Sequence, residues 1–451
     1  MLLPPMNGLS EIIRREIKKC GSITFARFME LSLYCPQLGY YEQIANTPGR
    51  RGDFYTSVCV GPLFGELLAA QFAQWLGQWK RRSVERGTND PAPEPFQLLE
   101  AGAHDGRLAA DILAWFKSRQ PQLFDKLQYW ILEPSRRRQQ WQNKTLAPFN
   151  KHVLWFDSWG ELPPTGVRGI IFSNELLDAM PVHRLGWDAQ NKTWFEWGVG
   201  AEDGQFVWQK LPPTSSSQEK YPLSRSAAVF GSSNTSTPKT QDRCQISPAL
   251  KAAAPEDGRI RLNRYQEGLA SEGGDPTAAP ERHAPGSTFP VANRPELPAE
   301  LEAVLPDGFT TEICPVAVDW WREAATALKR GWLLTLDYGL TAEQFITPER
   351  AQGTLRAYSR HQSSADLLAS PGEQDLTAHV NLTALQKAGE AAGLKTEGVF
   401  AQGEFLTRIV RADWRDKSVP AEWTPARTRQ FQTLTHPEYF GRQFKLLIQT
   451  R

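Results

Sequence analysis

Phe96-Gln97-Leu98-Leu99-Glu100-Ala101-Gly102-Ala103-His104-Asp105-Gly106, continued by Arg107-Leu108-Ala109-Ala110-Asp111-Ile112-Leu113-Ala114-Trp115-Phe116, is the stretch whose reading decides the fold. A short apolar run ends in an acid, two glycines follow, and Leu108, Ile112, Trp115 and Phe116 then recur at helical spacing. The pattern predicts a strand, a tight turn and an amphipathic helix. Such a unit opens a nucleotide-type α/β domain. Glycine allows torsions and close approaches that a side chain blocks, and the free amides at a helix start offer a polar cradle. The order Glu-x-Gly-x-x-x-Gly is not the dinucleotide fingerprint Gly-x-Gly-x-x-Gly, and strand-glycine-helix turns also occur with no ligand.

Downstream the pattern alternates as a parallel sheet requires. Leu127 to Glu133 reads as a second strand, followed by a polar helix from Pro134-Ser135 to about Leu146. His152 to Phe156 reads as a third strand ending at Asp157, and Val167 to Ser173 as a fourth ending at Asn174-Glu175. Pro181 leaves room for about one helical turn after Asn174, and Trp187 to Trp208 then reads as a β-hairpin turning at Asp188–Asn191. Residues 212–297 change to Ser, Thr, Pro, Gly and scattered charges, and by composition form a disordered, low-complexity insertion. Beyond it come a helix from Pro315 to Lys329 closed by Gly331, and a buried strand Trp332–Leu336 running into Asp337-Tyr338-Gly339. Two polar, loop-rich stretches follow, Gly353–His361 and Pro371–Asn381. A helix Leu382–Ala392, a strand Lys395–Phe405 and a last strand within Tyr439–Ile448 complete the chain.

Upstream, Leu9, Ile12, Ile13 and Ile17 predict a helix behind Ser10 that Gly21 ends, and a second helix runs from Thr24 past Leu31. Pro62 precedes a strongly amphipathic helix carrying Leu63, Leu67, Phe72, Trp75 and Trp79. These elements make residues 1–80 a helical extension ahead of a core in two parts, 96–211 and 298–451.

Composition narrows the functions. With 51 Lys plus Arg against 50 Asp plus Glu, charge gives no argument for a nucleic-acid or membrane partner. Cys20, Cys35, Cys59, Cys244 and Cys314 are scattered, with no zinc spacing, and suggest a reducing compartment; no metal site is expected. No signal-peptide core or bilayer-spanning run is visible, so the expected location is cytoplasmic. Gly-x-Ser-x-Gly, Walker and His-Glu-x-x-His motifs are absent, which leaves hydrolase, NTPase and zincin readings without support.

Strand-end acids are the candidate ligand residues. Glu133 can accept two ribose hydroxyls, as the acid after the glycine turn does in dinucleotide folds, and is equally a solvated acid before Pro134. Asp157, one strand later, can face an adenine amine or simply lie exposed. Glu175 and Asp178, three apart, can converge on one site and hold a guanidinium through charge-assisted bonds. The same residues also fit an ordinary helix start, with Asn174 as cap and Glu175 at its positive end. His361 and His379 fit site residues on lids and also plain surface or packing histidines.

Together these motifs resemble the MidA family of methyltransferases. The resemblance is carried by Gly52-Asp53-Phe54-Tyr55-Thr56-Ser57, Glu100 to Gly106, Ile131-Leu132-Glu133-Pro134-Ser135 and Asn174-Glu175-Leu176-Leu177-Asp178-Ala179-Met180-Pro181-Val182. It continues through Leu336-Asp337-Tyr338-Gly339, Gly353 to Tyr358 with His361, and Asp375-Leu376-Thr377-Ala378-His379-Val380. It implies a Rossmann-like class I methyltransferase with a central, mostly parallel sheet, a helical N-terminal extension and hairpin and lid insertions. The implied cofactor is S-adenosyl-L-methionine, and the implied acceptor an arginine of a protein, a respiratory complex I-like subunit among the candidates. Glu100, Gly102, Gly106, Glu133 and Asp157 then fall on the cofactor side, and Asn174, Glu175 and Asp178 on the catalytic acceptor loop. Asp53, Tyr338, His361 and His379 fall on substrate and lid positions. Two stretches depart from the family pattern. Ala103-His104-Asp105 lacks the usual third glycine, and Val58-Cys59-Val60 replaces Pro-Glu-Ile. They keep a second reading beside the first, an assembly or binding protein that retains the fold with weak or no catalysis.

Overall fold

Apolar spacing builds the first helices. In the computed structural model, α1 (Gly8–Cys20) buries Leu9, Ile13 and Ile17. It starts at Gly8, ahead of the predicted cap Ser10, and ends where Gly21 turns to φ +82° and donates its N–H to the Ile17 carbonyl. α2 (Phe25–Tyr34) is capped by the Thr24 hydroxyl, which accepts from the Arg27 N–H at 3.1 Å. The structure describes residues 8–43, 56–85, 95–212, 297, 299–359, 362–416 and 423–451. All of these fall in one unit, residues 1–233 with 288–451; a second unit, 234–287, lies outside the described residues. The expectation of disorder for 212–297 therefore falls almost wholly outside them, as do Asp53 and His361.

α3 (Leu63–Glu85) belongs to the core. Its Phe72 ring lies 5.2 Å from Phe172, and Trp75 stacks on Trp332 at 5.2 Å with planes 6° apart. The predicted extension thus supplies one wall of the domain.

The α/β pattern then unfolds as β1 (Phe96–Ala101), α4 (Arg107–Arg119), β2 (Leu127–Leu132), α5 (Arg136–Thr145), β3 (Val153–Phe156) and β4 (Val167–Asn174). β5 (His183–Asp188) and β6 (Thr193–Glu202) form the predicted hairpin. A second turn, with Asp203 and Gly204 both at positive φ, adds β7 (Gln205–Lys210). β8 (Thr310–Ile313) pairs with β5, and the two-residue strand Ile23–Thr24 pairs with β6, completing a separate sheet.

α6 (Pro315–Ala327) passes directly into β9 (Leu328–Leu340), so Gly331 is a strand residue and not the predicted helix terminator. A side chain cannot fit there. At φ +125° a Cβ on Gly331 would stand 1.8 Å from the Gly169 carbonyl oxygen, next to the register shift between Leu328 and Arg330. In β9, Leu333 faces one apolar layer and Leu334 the other, both fully buried, which explains its unbroken apolar run.

The stretch 353–381, predicted to be loops, contains a small antiparallel sheet. β10 (Arg356–Ser359) lies between β11 (Gln362–Ser364) and β12 (Asp375–Thr377). After α7 (Leu382–Ala391) comes β13 (Lys395–Ala401), shorter than predicted because Phe405 lies buried in α8 (Gln402–Asp416). α9 (Pro425–Thr435) precedes β14 (Phe444–Thr450).

The main sheet runs β13-β14-β9-β4-β1-β2-β3. β9, β4, β1, β2 and β3 are parallel, and β14 is antiparallel to both β9 and β13. The strand order reverses between β1 and β4, and that switch point opens a crevice at their carboxyl ends.

Candidate active site

The crevice floor is built by the loop after β1. Gly102 stands at φ +72°, and a Cβ on it would sit 2.7 Å from Leu176 Cδ1 on the opposite loop. Gly106 precedes α4 at φ +84°, packed on Gln142 and Leu146 of the α5 region. Only glycine accommodates both the torsion and the approach at position 102. His104, between them, is also left-handed at φ +46°. Its carbonyl accepts from Gln142 Nε2 at 3.1 Å, and its ring lies 6.4 Å from Trp141. Glu100 closes the strand below. It is buried, accepts a 2.6 Å bond from the Tyr129 hydroxyl, and is pushed up to about 7 by burial against the pull of that bond.

Above this floor lies a cavity of about 770 Å³, bounded by Gly102, His104, Glu175, Asp178, Tyr338 and His379 among others. Glu100, Asn174 and Asp375 line it too. The structure therefore brings together predicted residues from the glycine turn, the Asn174 loop and the lid.

The Asn174 loop is not the predicted helical turn. Glu175 sits at φ +50° and donates its N–H to the Leu336 carbonyl at 2.9 Å, while Asp337 Oδ2 accepts the Leu177 N–H at 2.9 Å. Those bonds pull the backbone toward the end of β9 instead of into a helix. Glu175 Oε1 accepts from the Ser57 N–H and from Asn174 Nδ2, each at 3.2 Å. Asn174 Oδ1 is buried without a hydrogen-bond partner among the described residues, and so is available to an N–H donor of a ligand.

Acids crowd this wall. Burial, with the nearby Asp337 charge, pushes Glu175 up to about 8; burial pushes Asp337 up to about 7, against several backbone N–H bonds. Asp178 is raised by burial and by Asp337, Asp375 and Glu175. Asp375 accepts a 2.7 Å bond from the Tyr41 hydroxyl. Burial and mutual repulsion favour the protonated form of these carboxyls, and a cation placed among them would relieve that repulsion.

The lid groups lie at the mouth. Tyr338 packs its ring 4.1 Å from Phe444 and 6.3 Å from His379. Burial and the charges of Arg350 and Arg356 lower His379 to about 4, so its imidazole is neutral near pH 7.

Glu133 is placed differently. It is buried at the end of β2, where Oε1 accepts from the Ser135 N–H at 3.0 Å and pairs with Arg138 Nε at 3.2 Å. Its Oε2 accepts from Gln142 Nε2 at 3.1 Å. It borders a small recess that shares Gly102, Leu176, Tyr34 and Arg138 with the main cavity. Asp157 does not line the cavity. Its carboxylate pairs with Arg136 at 2.5 Å and accepts from Gln139 at 2.8 Å.

Sequence reasoning passed over Asp375, Tyr34, Tyr41 and Arg138, which line the cavity, and Asp337, which is fully buried behind it and holds the Leu177 N–H. Asp337 directly follows the apolar run Trp332–Leu336, the kind of signal that nominated Glu133, and so was detectable, although the strand runs on to Leu340. Tyr34 and Tyr41 reach the cavity from the N-terminal helices, and local pattern carries no sign of that.

A doubly wound sheet, a glycine turn at its switch point and a cavity with an acidic wall define a nucleotide-type α/β fold with a ligand crevice at the carboxyl ends of its strands. A family model described as "Putative S-adenosyl-L-methionine-dependent methyltransferase" matches residues 67–400, and the chain belongs to that family. It is a methyltransferase whose cofactor is S-adenosyl-L-methionine. The chain is 25% identical over 472 residues to the mitochondrial protein arginine methyltransferase NDUFAF7 homolog of Drosophila melanogaster, covering 98% of this chain and 84% of that protein. It is 27% identical over 216 residues to protein arginine methyltransferase NDUFAF7 of Homo sapiens, covering 41% of this chain and 45% of that one. Among solved structures, a Burkholderia thailandensis protein bound to S-adenosyl-homocysteine superposes with a TM-score of 0.67 at 25% identity, covering 100% of this chain and 95% of that one.

The residues present fit this cofactor. The glycine cradle at Gly102 would be filled by a Cβ, and Asn174 Oδ1 offers an unfilled acceptor to an amine. Both glycines of the turn can present backbone close to the donor.

Proposed function

We propose that this chain methylates an arginine of a protein acceptor. The observation that carries the reading is the convergence of Glu175, Asp178 and Asp375 on a cavity that also contains the glycine turn. When bound, S-adenosylmethionine supplies a methyl on a sulfonium, a good leaving group, so the protein's work is alignment and exclusion of water. Gly102, Gly106, Glu100 and Glu133 serve the donor side, and Asp157, paired with Arg136 and Gln139 outside the cavity, takes no part. Glu175 and Asp178 clamp the guanidinium, turn one nitrogen lone pair toward the methyl, and accept the proton released as the N–CH3 bond forms and the S–CH3 electron pair returns to sulfur. Asn174 Oδ1 accepts an N–H of either ligand, while Tyr338 and the neutral His379 cover the mouth.

Family membership and the names of the arginine methyltransferase relatives support the acceptor class. The reading extends to a respiratory complex I-like subunit as one acceptor and to a cytoplasmic location, where the balanced charge and scattered cysteines point. Among the described residues no helix is long and apolar enough to cross a membrane.

Acid hydrolysis and amino-acid analysis of extract proteins labelled with methyl-tritiated donor test this. Methylarginine is the expected product. Label confined to lysine or to carboxyl esters contradicts the reading.

A further inference from the structure

The more exposed part of the cavity lining has the opposite charge to its buried acidic wall. Arg350, Arg356, Arg442 and Lys445 all line the cavity, Arg356 and Arg442 exposed and the other two half-buried. Among the described residues, none of the four forms an ion pair. Arg350 donates to the Thr347 hydroxyl at 3.2 Å and Arg356 to the Leu355 carbonyl at 2.7 Å, both neutral acceptors. Arg350 and Arg356 both bear on His379, and Lys445 is lowered by burial and by Arg442 against the pull of Glu404.

Glu349, Glu312 and Glu404 act on Arg350, Arg356 and Lys445 only from beyond ion-pair distance, and like charges held around one opening without a direct ion pair favour a visiting anion. The methionine carboxylate of the donor is one negative charge and satisfies one or two guanidinium or ammonium groups. Four cations from two separate segments, 350–356 and 442–445, exceed that need. The remainder faces whatever carries the acceptor arginine. Depth separates the two charges: Asp178 and Asp375 are buried in the acidic wall, whereas Arg356 and Arg442 are exposed and Arg350 and Lys445 half-buried.

We infer that the acceptor arginine lies in an acidic stretch of its protein. Its guanidinium reaches the carboxylate wall, while neighbouring Asp or Glu side chains pair with Arg350 and Arg356 on one segment and with Arg442 and Lys445 on the other. This rests on the arginine reading above.

The test uses the full chain and three synthetic peptides with one central arginine, flanked on both sides by glutamates, glutamines or lysines, with methyl-tritiated S-adenosylmethionine. The expected order is glutamate over glutamine by at least about tenfold in kcat/KM, and glutamine over lysine, with the advantage shrinking as salt rises. Arg350→Glu/Arg356→Glu should reverse the preference between glutamate and lysine flanks, each variant being compared with wild type at saturating S-adenosylmethionine. Arg356→Glu alone, on an exposed side chain, serves if the double variant unfolds. Methylation of all three peptides at equal rates, or a lysine-flanked preference in the wild type, overturns the inference and leaves arginine methylation standing. Failure of all three, together with no methylarginine in labelled extract proteins, overturns both.

Discussion

The backbone N–H of Ser57 donates a 3.2 Å hydrogen bond to Oε1 of Glu175, joining the helical turn ahead of α3 to the acceptor loop after β4. The Ser57 hydroxyl donates in turn to Gln402 Oε1 at 3.2 Å, and Gln402 Nε2 donates to the Leu434 carbonyl at 3.0 Å. A carboxylate at the end of a core strand is thereby oriented by the N-terminal segment and by the C-terminal helices α8 and α9. This buried chain of polar contacts fixes Glu175 in a left-handed conformation that its sequence neighbours alone would not select.

Burial makes the acidic wall sensitive to pH. Glu175 is raised from the usual 4.5 to about 8 and Asp337 from 3.8 to about 7, both chiefly by burial. Between those limits the folded chain holds protons that the unfolded chain has released. Their contribution to stability is therefore full below about pH 4 and lost as pH rises through about 7 to 8. The unfolding midpoint should fall from about pH 6 to 8.5, and Glu175→Gln should flatten that fall. Thermal unfolding across this range checks it; identical slopes for the two proteins contradict the assignment.

Glu133 and Arg138 form a buried pair 3.2 Å apart, with Glu42 only at 3.9 Å from the same guanidinium. Glu133→Gln should cost about 3 kcal/mol in urea unfolding, since it strands a buried cation. Glu133→Gln/Arg138→Met should recover at least half of that loss. If Glu133 also serves the donor, the recovered double variant still binds S-adenosyl-homocysteine more weakly by about 1–3 kcal/mol in calorimetry. A single variant as stable as wild type would remove the pair from the account.

Gly102→Ala forces a Cβ to 2.7 Å from Leu176 Cδ1 at φ +72°. The torsion alone costs about 1–2 kcal/mol, and displacement of Leu176 disturbs the facing loop. Donor affinity should drop at least about tenfold. Gly102→Ala/Leu176→Ala should restore only part, because space returns and torsion does not. Full recovery would show that crowding, not backbone conformation, sets the need for glycine.

Much of the sheet was legible because its strands are short apolar runs punctuated by glycine and acids: β1, β2, β3 and β4 lie where the pattern places them. The lid sheet was hidden, since β10, β11 and β12 are three or four residues long and largely polar. Gly331 misled because a glycine after a helix usually terminates it, whereas here the strand needs close approach to Gly169. Spacing nominated Glu175 and Asp178 through a helical turn, whereas both line the cavity from an irregular loop held by Leu336 and Asp337. Their partners Asp337, Asp375 and Tyr41 come from far along the chain, and only the fold assembles them.

The most direct measurement compares Glu175→Gln with wild type in two assays on the same preparations: calorimetric titration with S-adenosyl-homocysteine, and single-turnover methyl transfer to an arginine peptide. Loss of a charged clamp worth about 3 kcal/mol in the transition state predicts transfer slowed by at least about 100-fold, with donor affinity unchanged within about threefold. Equal transfer rates in the two proteins would contradict the assignment of this acidic wall to the acceptor.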